Sequence, residues 1–365
     1  MKRVLLGLSL TVSTLVMWAY VNDLTANFTR GSLNLSSISS ITFGPEGVLF
    51  IGDPMNATIY ALDTEDKIAK TSNESVSVKN LDMKIAALLG ASIEDIIIYD
   101  MAVNPISQNI YLSVGRNDAP VLLRLVSGNL EVVSLDDASF SMISLNNPVS
   151  TDAERRGRKL RPLAITDLAY SNGTVYVAGL SNEEFASTFR SIPFPFNKDQ
   201  SFATLEIWHA AHGRYETQSP IRTFLPIELD GQSQILASYT CTPLVIFPVD
   251  QLKDGQHVKG KTVAELGNRN NPLDIIAYNK NGKPFILIAN SKRALMRISP
   301  DDIIAQKEGL TEPLKEGHGT DGIVYLSIAE VYIQQIDNLN DETVVVIQRL
   351  GNGDLNLRSI KTSRL

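Results

Sequence analysis

Short apolar runs alternate with turn residues along most of the chain, and one arrangement of them recurs. In "ITFGPEGVLFIGDPMNATIYALD", Ile41-Thr42-Phe43 reads as a strand, Gly44 to Gly47 as a turn and Val48 to Ile51 as a second strand. Gly52 to Asn56 then reads as a polar loop and Ile59 to Leu62 as a third strand. The same order returns over Asp100 to Val126, Thr166 to Ile192, Thr223 to Val249 and Leu273 to Ser299. A looser sixth copy spans Val331 to Ile360.

A unit of three strands returning every ~50 to 70 residues is the signature of a repeat architecture. One small antiparallel sheet cannot bury both of its faces; stacking several around an axis does, which makes a β-propeller. A two-sheet sandwich also alternates, but it does not repeat a three-part unit in fixed order. Fourth strands are expected at Leu130 to Leu135, Leu205 to His209 and Val263 to Leu266. The predicted fold is therefore all-β: a propeller, with six four-stranded blades as the first expectation. Seven is the alternative, if Gly322 to Leu326 belongs to a degenerate blade of its own. The last copy shows no evident fourth strand, while Gly31 to Leu35 stands before the first copy without a partner. Pairing the two would close the ring and remove two exposed edges.

These residues carry a family resemblance. "ITFGPEGVLFIGD" followed by "TIYALD" resembles the repeat of NHL-type and gluconolactonase-type propellers, the six-bladed TolB-like group, from about Ser39 onward. The resemblance implies six blades. It leaves function wide, because that group includes lactonases, sugar dehydrogenases, receptor modules and scaffolds. For the lactonases it implies a metal site built from Glu, Asn and Asp.

In such a wheel the turns between first and second strands emerge on one face, and they are short: "GPEG", "NPISQ", "SNG", "LDG", "NKNG". The second-to-third and blade-to-blade loops emerge on the other and hold most of the polar chemistry, so that face is the expected working face. Asp100, Asp167 and Asp274 stand near the start of innermost strands, with Ser40 in the matching place of the first copy. Two readings stand for this ring of acids: oxygen ligands for a divalent cation such as Ca²⁺, or acceptors for backbone amides of neighbouring strands. "WHAAHGRYE", Trp208 to Glu216, is the densest stretch. Its two histidines, His209 and His212, suit a transition-metal pair, a hydrogen-bonded pair lining a cleft, or proton transfer. In the enzyme reading the catalytic set is His209, His212 and Asp167.

Arg116, Arg214, Arg222, Arg269 and Arg293 offer planar forks for carboxylate or phosphate groups. With Tyr239, Thr242, Asn271 and Asn290 they form the expected ligand-binding set on that face. The competing reading pairs those arginines with Asp53, Asp118 and Glu216. Cys241 reads as a buried small hydrophobe or, near a histidine, as a nucleophile.

Composition narrows the field further. A net charge of −7 argues against a nucleic-acid binder. Five bases crowd Arg155 to Arg161, a solvated loop or an anion-facing rim. With one cysteine there is no internal disulfide and no cysteine-rich metal site. Lys2-Arg3 ahead of the apolar run Val4 to Val21 predicts a signal peptide or membrane anchor over residues 1–26, a single propeller over 27–365, and a periplasmic or secreted address, tethered if the segment is uncleaved. Five Asn-x-Ser/Thr sites, at Asn27, Asn34, Asn56, Asn73 and Asn172, bear on this only in a eukaryotic secretory route. No phosphate-binding glycine loop, Gly-x-Ser-x-Gly elbow or His-Glu-x-x-His helix occurs. Two functions follow from different classes. One is an exported module binding a small anionic or polyhydroxylated ligand, or a protein partner, without catalysis. The other is a metal-dependent lactonase or sugar dehydrogenase with its site at the channel mouth.

Overall fold

The computed structural model describes residues 24–70, 75–241, 243–267, 269–315 and 319–365; most of the expected targeting segment lies outside them. Six antiparallel sheets stand around one axis, each with its first strand innermost. Blade I comprises Ile41–Phe43, Val48–Asp53 and Thr58–Asp63, with Ala138–Ser144 as its fourth strand and Thr29–Gly31 on its far edge. Blade II is Ile96–Val103, Ile110–Arg116, Ala119–Val126 and Asn129–Val132. Blade III is Asp167–Ser171, Thr174–Leu180, Ser187–Pro193 and Ser201–His209. Blade IV is Ile221–Leu229, Gln232–Tyr239, Pro243–Pro248 and Lys261–Glu265. Blade V is Pro272–Lys280, Lys283–Asn290, Leu295–Ile298 and Leu326–Ile328. Blade VI is Ile333–Asn340, Thr343–Arg349 and Leu355–Lys361, completed by Ser77–Val78.

Local chemistry sets these hairpins. Asn172-Gly173, Asp230-Gly231 and Asn281-Gly282 all hold positive φ, at 48° and 78°, 50° and 72°, and 53° and 77°. That is the two-residue turn whose twist matches antiparallel strands. Residues of the second strands are buried on both faces, as Val48–Asp53 shows throughout. An apolar cluster fills each space between neighbouring blades. The one between blades I and III is aromatic, with Phe50 stacked on Tyr170 and edge-on to Phe194.

Two features differ from the sequence expectation. The ring is closed by a strand from the N-terminal third, as expected, but that strand is Ser77–Val78, paired with Arg358 and Leu357. Thr29–Gly31, beside the expected Gly31 to Leu35, instead pairs with Ala138 to Phe140 at the edge of blade I. The blades also do not follow one another around the axis in chain order. Apolar clusters join I to III, III to IV, IV to V, V to VI, VI to II and II to I. Blade II is thus built from chain inserted between the third and fourth strands of blade I. The excursion leaves from Asp63 and returns beside it, where Ser139 is its register partner. Gly322 to Leu326 makes no seventh blade, since Asp321–Gly322 extends blade IV and Leu326–Ile328 completes blade V.

Candidate functional site

Each innermost strand enters the wheel from the working face, and it or the residue just before it brings a polar side chain to the axis. Ser40, Asp100, Asp167, Thr223, Asp274 and Gln335 share the wall of a cavity of about 190 Å³ at that mouth. Beyond the aspartates the channel widens to about 400 Å³ toward the other face, where Asp337 joins the wall.

The carboxylates stitch the wheel. Asp100 Oδ2 accepts from the Ile41 amide at 2.8 Å and from Ser40 Oγ at 3.0 Å, and Oδ1 accepts from the Met101 amide at 2.8 Å. Asp167 Oδ1 lies 3.0 Å from the same Ser40 Oγ, whose one proton serves either carboxylate at a time. Asp167 also accepts from its own neighbour Leu168 at 2.8 Å and from the Phe224 amide of blade IV at 2.8 Å. Asp274 takes the amides of Ile275 and Ile336, and Asp337 those of Asn338 and Val103. Between them these side chains cross five of the six seams.

Burial drives all four acids upward. Asp100 rises to about 8 through desolvation and then the charge of Asp167. Burial raises Asp167 and Asp337 to about 6 each, against opposing amide bonds. Asp274 is raised by burial and next by Asp100. The fit to an implied Ca²⁺ is poor, because the oxygens are committed to backbone N–H groups. Among the described residues, Asp100, Asp167 and Asp274 are not a group of three ligand atoms within 4.8 Å.

His209, His212 and Glu216 are such a group. The outer strand of blade III runs to His209, turns through Ala210 to Gly213 and returns as Arg214–Glu216. Gly213, at φ 61°, makes the reversal and packs on Pro313. His212 thereby stacks on His209 with ring centres 3.8 Å apart. Glu216 accepts at 3.1 Å from His209 Nδ1, at 2.7 Å from His212 Nδ1, at 3.2 Å from Arg214 and at 3.1 Å from Ser219 Oγ. Those bonds hold its carboxyl far below the usual range despite burial. Glu265 lies on the far side of His209, Oε1 being 3.9 Å from Nε2, and burial pushes it up to about 7.

"HAAH", "YTCTP" and "GNRNNP" share one face, as the wheel requires. Pro243 is the register partner of Glu265, and the Cys241 amide donates to Asn270 O at 3.1 Å. The arginines do not converge. Arg222 lines the axial mouth. Arg116 donates to Gly90 O, Arg214 to Glu216, and Arg293 packs over Gly267. Arg269 is exposed, Tyr239 is buried, and Thr242 lies outside the described residues. Asn271 and Ser291 exchange two hydrogen bonds of 2.9 Å. Asn290 is buried and accepts from Asn270 at 2.8 Å. Of the basic run, Arg161 is buried and donates to Met55 O and Val149 O, while the other four bases are exposed.

Sequence reading passed over Glu265 and Asp337. Each has a faint signal, a lone acid inside an apolar strand ("TVAEL", "YIQQID").

No protein-family model matches this chain. No curated protein matches it in sequence. Among solved structures, the PQQ-bound aldose sugar dehydrogenase of Streptomyces coelicolor is similar over 92% of this chain and 98% of that one, at 12% identity and a TM-score of 0.32. The plexin A4 extracellular region is similar over 92% of this chain and 46% of its own, at 8% identity and a TM-score of 0.41. The strand order of the chain itself defines it as a six-bladed β-propeller.

Proposed function

We propose that this propeller, of the TolB-like kind its repeat resembles, is an exported binding module that takes a small polyhydroxylated molecule at the working-face mouth of its axial channel. One observation carries the reading: Arg222, Gln335 and the hydroxyl residues Ser39, Thr166 and Thr223 surround that mouth above carboxyls pushed toward their neutral form. A polyol needs donors and acceptors side by side. This wall offers Arg222 as donor and the side-chain oxygens of Ser39, Thr166 and Gln335 as acceptors, their own protons being given to the Gly52, Ile221 and Tyr99 carbonyls. An anion would meet Arg222 but also Asp167, whose carboxyl at about 6 is ionised at neutral pH, so the neutral ligand is favoured over the charged one. The positive start and apolar run at Lys2 to Val21 support the exported address.

Calorimetric titration with a panel of monosaccharides, linear polyols and sugar acids tests this. Saturable binding of a neutral polyol, weakened at least tenfold in Arg222→Ala, supports the proposal. Binding of sugar acids alone, or neutral binding indifferent to Arg222, removes it.

A second reading, a lactonase or sugar dehydrogenase, draws on Asp100, whose carboxyl at about 8 keeps a transferable proton near neutral pH. Turnover of lactones or aldoses that is lost in Asp100→Asn would favour it.

A further inference from the structure

The hairpin at the outer end of blade III carries chemistry that the axial site does not use. His209 is 2% exposed and lies between two carboxylates, Glu216 at Nδ1 and Glu265 at Nε2. A neutral imidazole carries one N–H. Given to Glu216 through Nδ1, it leaves Nε2 as a lone pair facing an acid. Two atoms record that mismatch, since His209 Nε2 and Glu265 Oε2 are both buried without a hydrogen-bond partner.

We propose that His209, His212 and Glu216 bind a divalent first-row transition cation of the Zn²⁺ class, with Glu265 as the outer partner that orients His209. Two imidazoles and one carboxylate are an established donor set for such ions. The spacing suits it: Nδ1 of each histidine lies 3.1 or 2.7 Å from a Glu216 oxygen. Ligand atoms around a tetrahedral zinc ion with bonds of ~2.0–2.1 Å stand about 3.3 Å apart, so small outward shifts admit the ion. Metal on Nδ1 also resolves the mismatch, because the ring proton then moves to Nε2 and points at Glu265. That is the carboxylate–histidine–metal relay found around zinc sites.

The cradle is built before any ion arrives. Arg214 and Ser219 fix the Glu216 carboxylate. Glu265 Oε1 also accepts from the Ala211 amide at 3.3 Å, and Leu314 donates to Ala210 O at 3.0 Å, pinning the turn. His212, with its side chain 42% exposed, leaves the fourth position open toward solvent.

The test uses the full chain, stripped with a chelator and dialysed against Zn²⁺, with bound metal counted by mass spectrometry. Co²⁺ as a second probe reports tetrahedral coordination through its visible absorption. We expect one equivalent per chain. His212→Ala, a change at a half-exposed site, should lower affinity at least 100-fold and abolish the Co²⁺ band while leaving the urea midpoint of the metal-free protein close to that of wild type. Glu265→Gln should keep the stoichiometry and weaken affinity 10- to 100-fold. Wild-type protein that retains no Zn²⁺ overturns the proposal. So does binding unchanged in His212→Ala, or binding lost instead in His257→Ala, which would place the ion at the His257–Glu206 pair.

Discussion

Replacing Asp167 by asparagine separates a stitching carboxylate from a functional one. Wild-type Asp167 is raised from 3.8 to about 6 by burial, so the folded state holds its proton over a pH range where the unfolded chain has released it. The favourable contribution is present below pH 3.8 and is lost as pH rises through about 6. A gap of about 2 pKa units corresponds to ~3 kcal/mol, reduced where channel water solvates the carboxylate. Asparagine keeps one acceptor oxygen for the Leu168 or Phe224 amide and has no charge to desolvate. The variant should therefore be less stable than wild type by about 1 kcal/mol at pH 4, where one amide loses its acceptor. It should equal or exceed wild type by pH 7 to 8. Relief of the repulsion that Asp167 exerts on Asp100 acts in the same direction. Urea midpoints of both proteins at half-unit pH steps from 4 to 8 measure the difference directly. Asp337 titrates in both chains and cancels, whereas Asp100 and Asp274, both raised by the Asp167 charge, are relieved in the variant in that same sense. A flat difference across this range, or one moving against the variant as pH rises, refutes the burial argument.

Three further outcomes follow. Gly179→Ala places a Cβ 2.1 Å from the Ala164 carbonyl oxygen, so the backbone at the blade I–III seam must move; a loss of about 3 kcal/mol or more is expected in urea melts. Phe50→Ala opens a cavity among Tyr170, Phe194 and Phe196, at a cost of ~3–5 kcal/mol by the same assay. Val78→Asp buries an unpaired acid in the ring-closing strand. Hydrogen exchange should then accelerate first over Leu355–Lys361, while the amides of blade IV stay protected.

Most of the wheel was legible because its signals are local. Strand alternation and Asn-Gly or Asp-Gly turns depend on neighbours a few residues away, and so do the outer strands found near Leu130, Leu205 and Val263. Ring order was not legible. Whether blade II follows blade I in space depends on which apolar faces meet across the seams, and an alternating strand reads the same on either side. Ala138–Ser144 was missed for that reason, because its partner Thr58–Asp63 lies a whole blade earlier in the chain. The axial aspartates were visible as a recurring position. Their bonding was not, since the same spacing serves a cation or a neighbour's amide. Glu265 became meaningful only when folding set it against His209.

The inserted blade has a consequence for a chain emerging from the ribosome. Three strands of the first blade appear early, but their fourth is not synthesised until an entire blade has been made. Ser77–Val78 must then wait until blades II to V have been made before its partner Leu357 emerges and the last gap is filled. Blades II to V can form one after another, but blades I and VI cannot close in chain order, and a nascent chain stalled before Ala138 would present the raw edge of Thr58–Asp63 to whatever chaperone attends it.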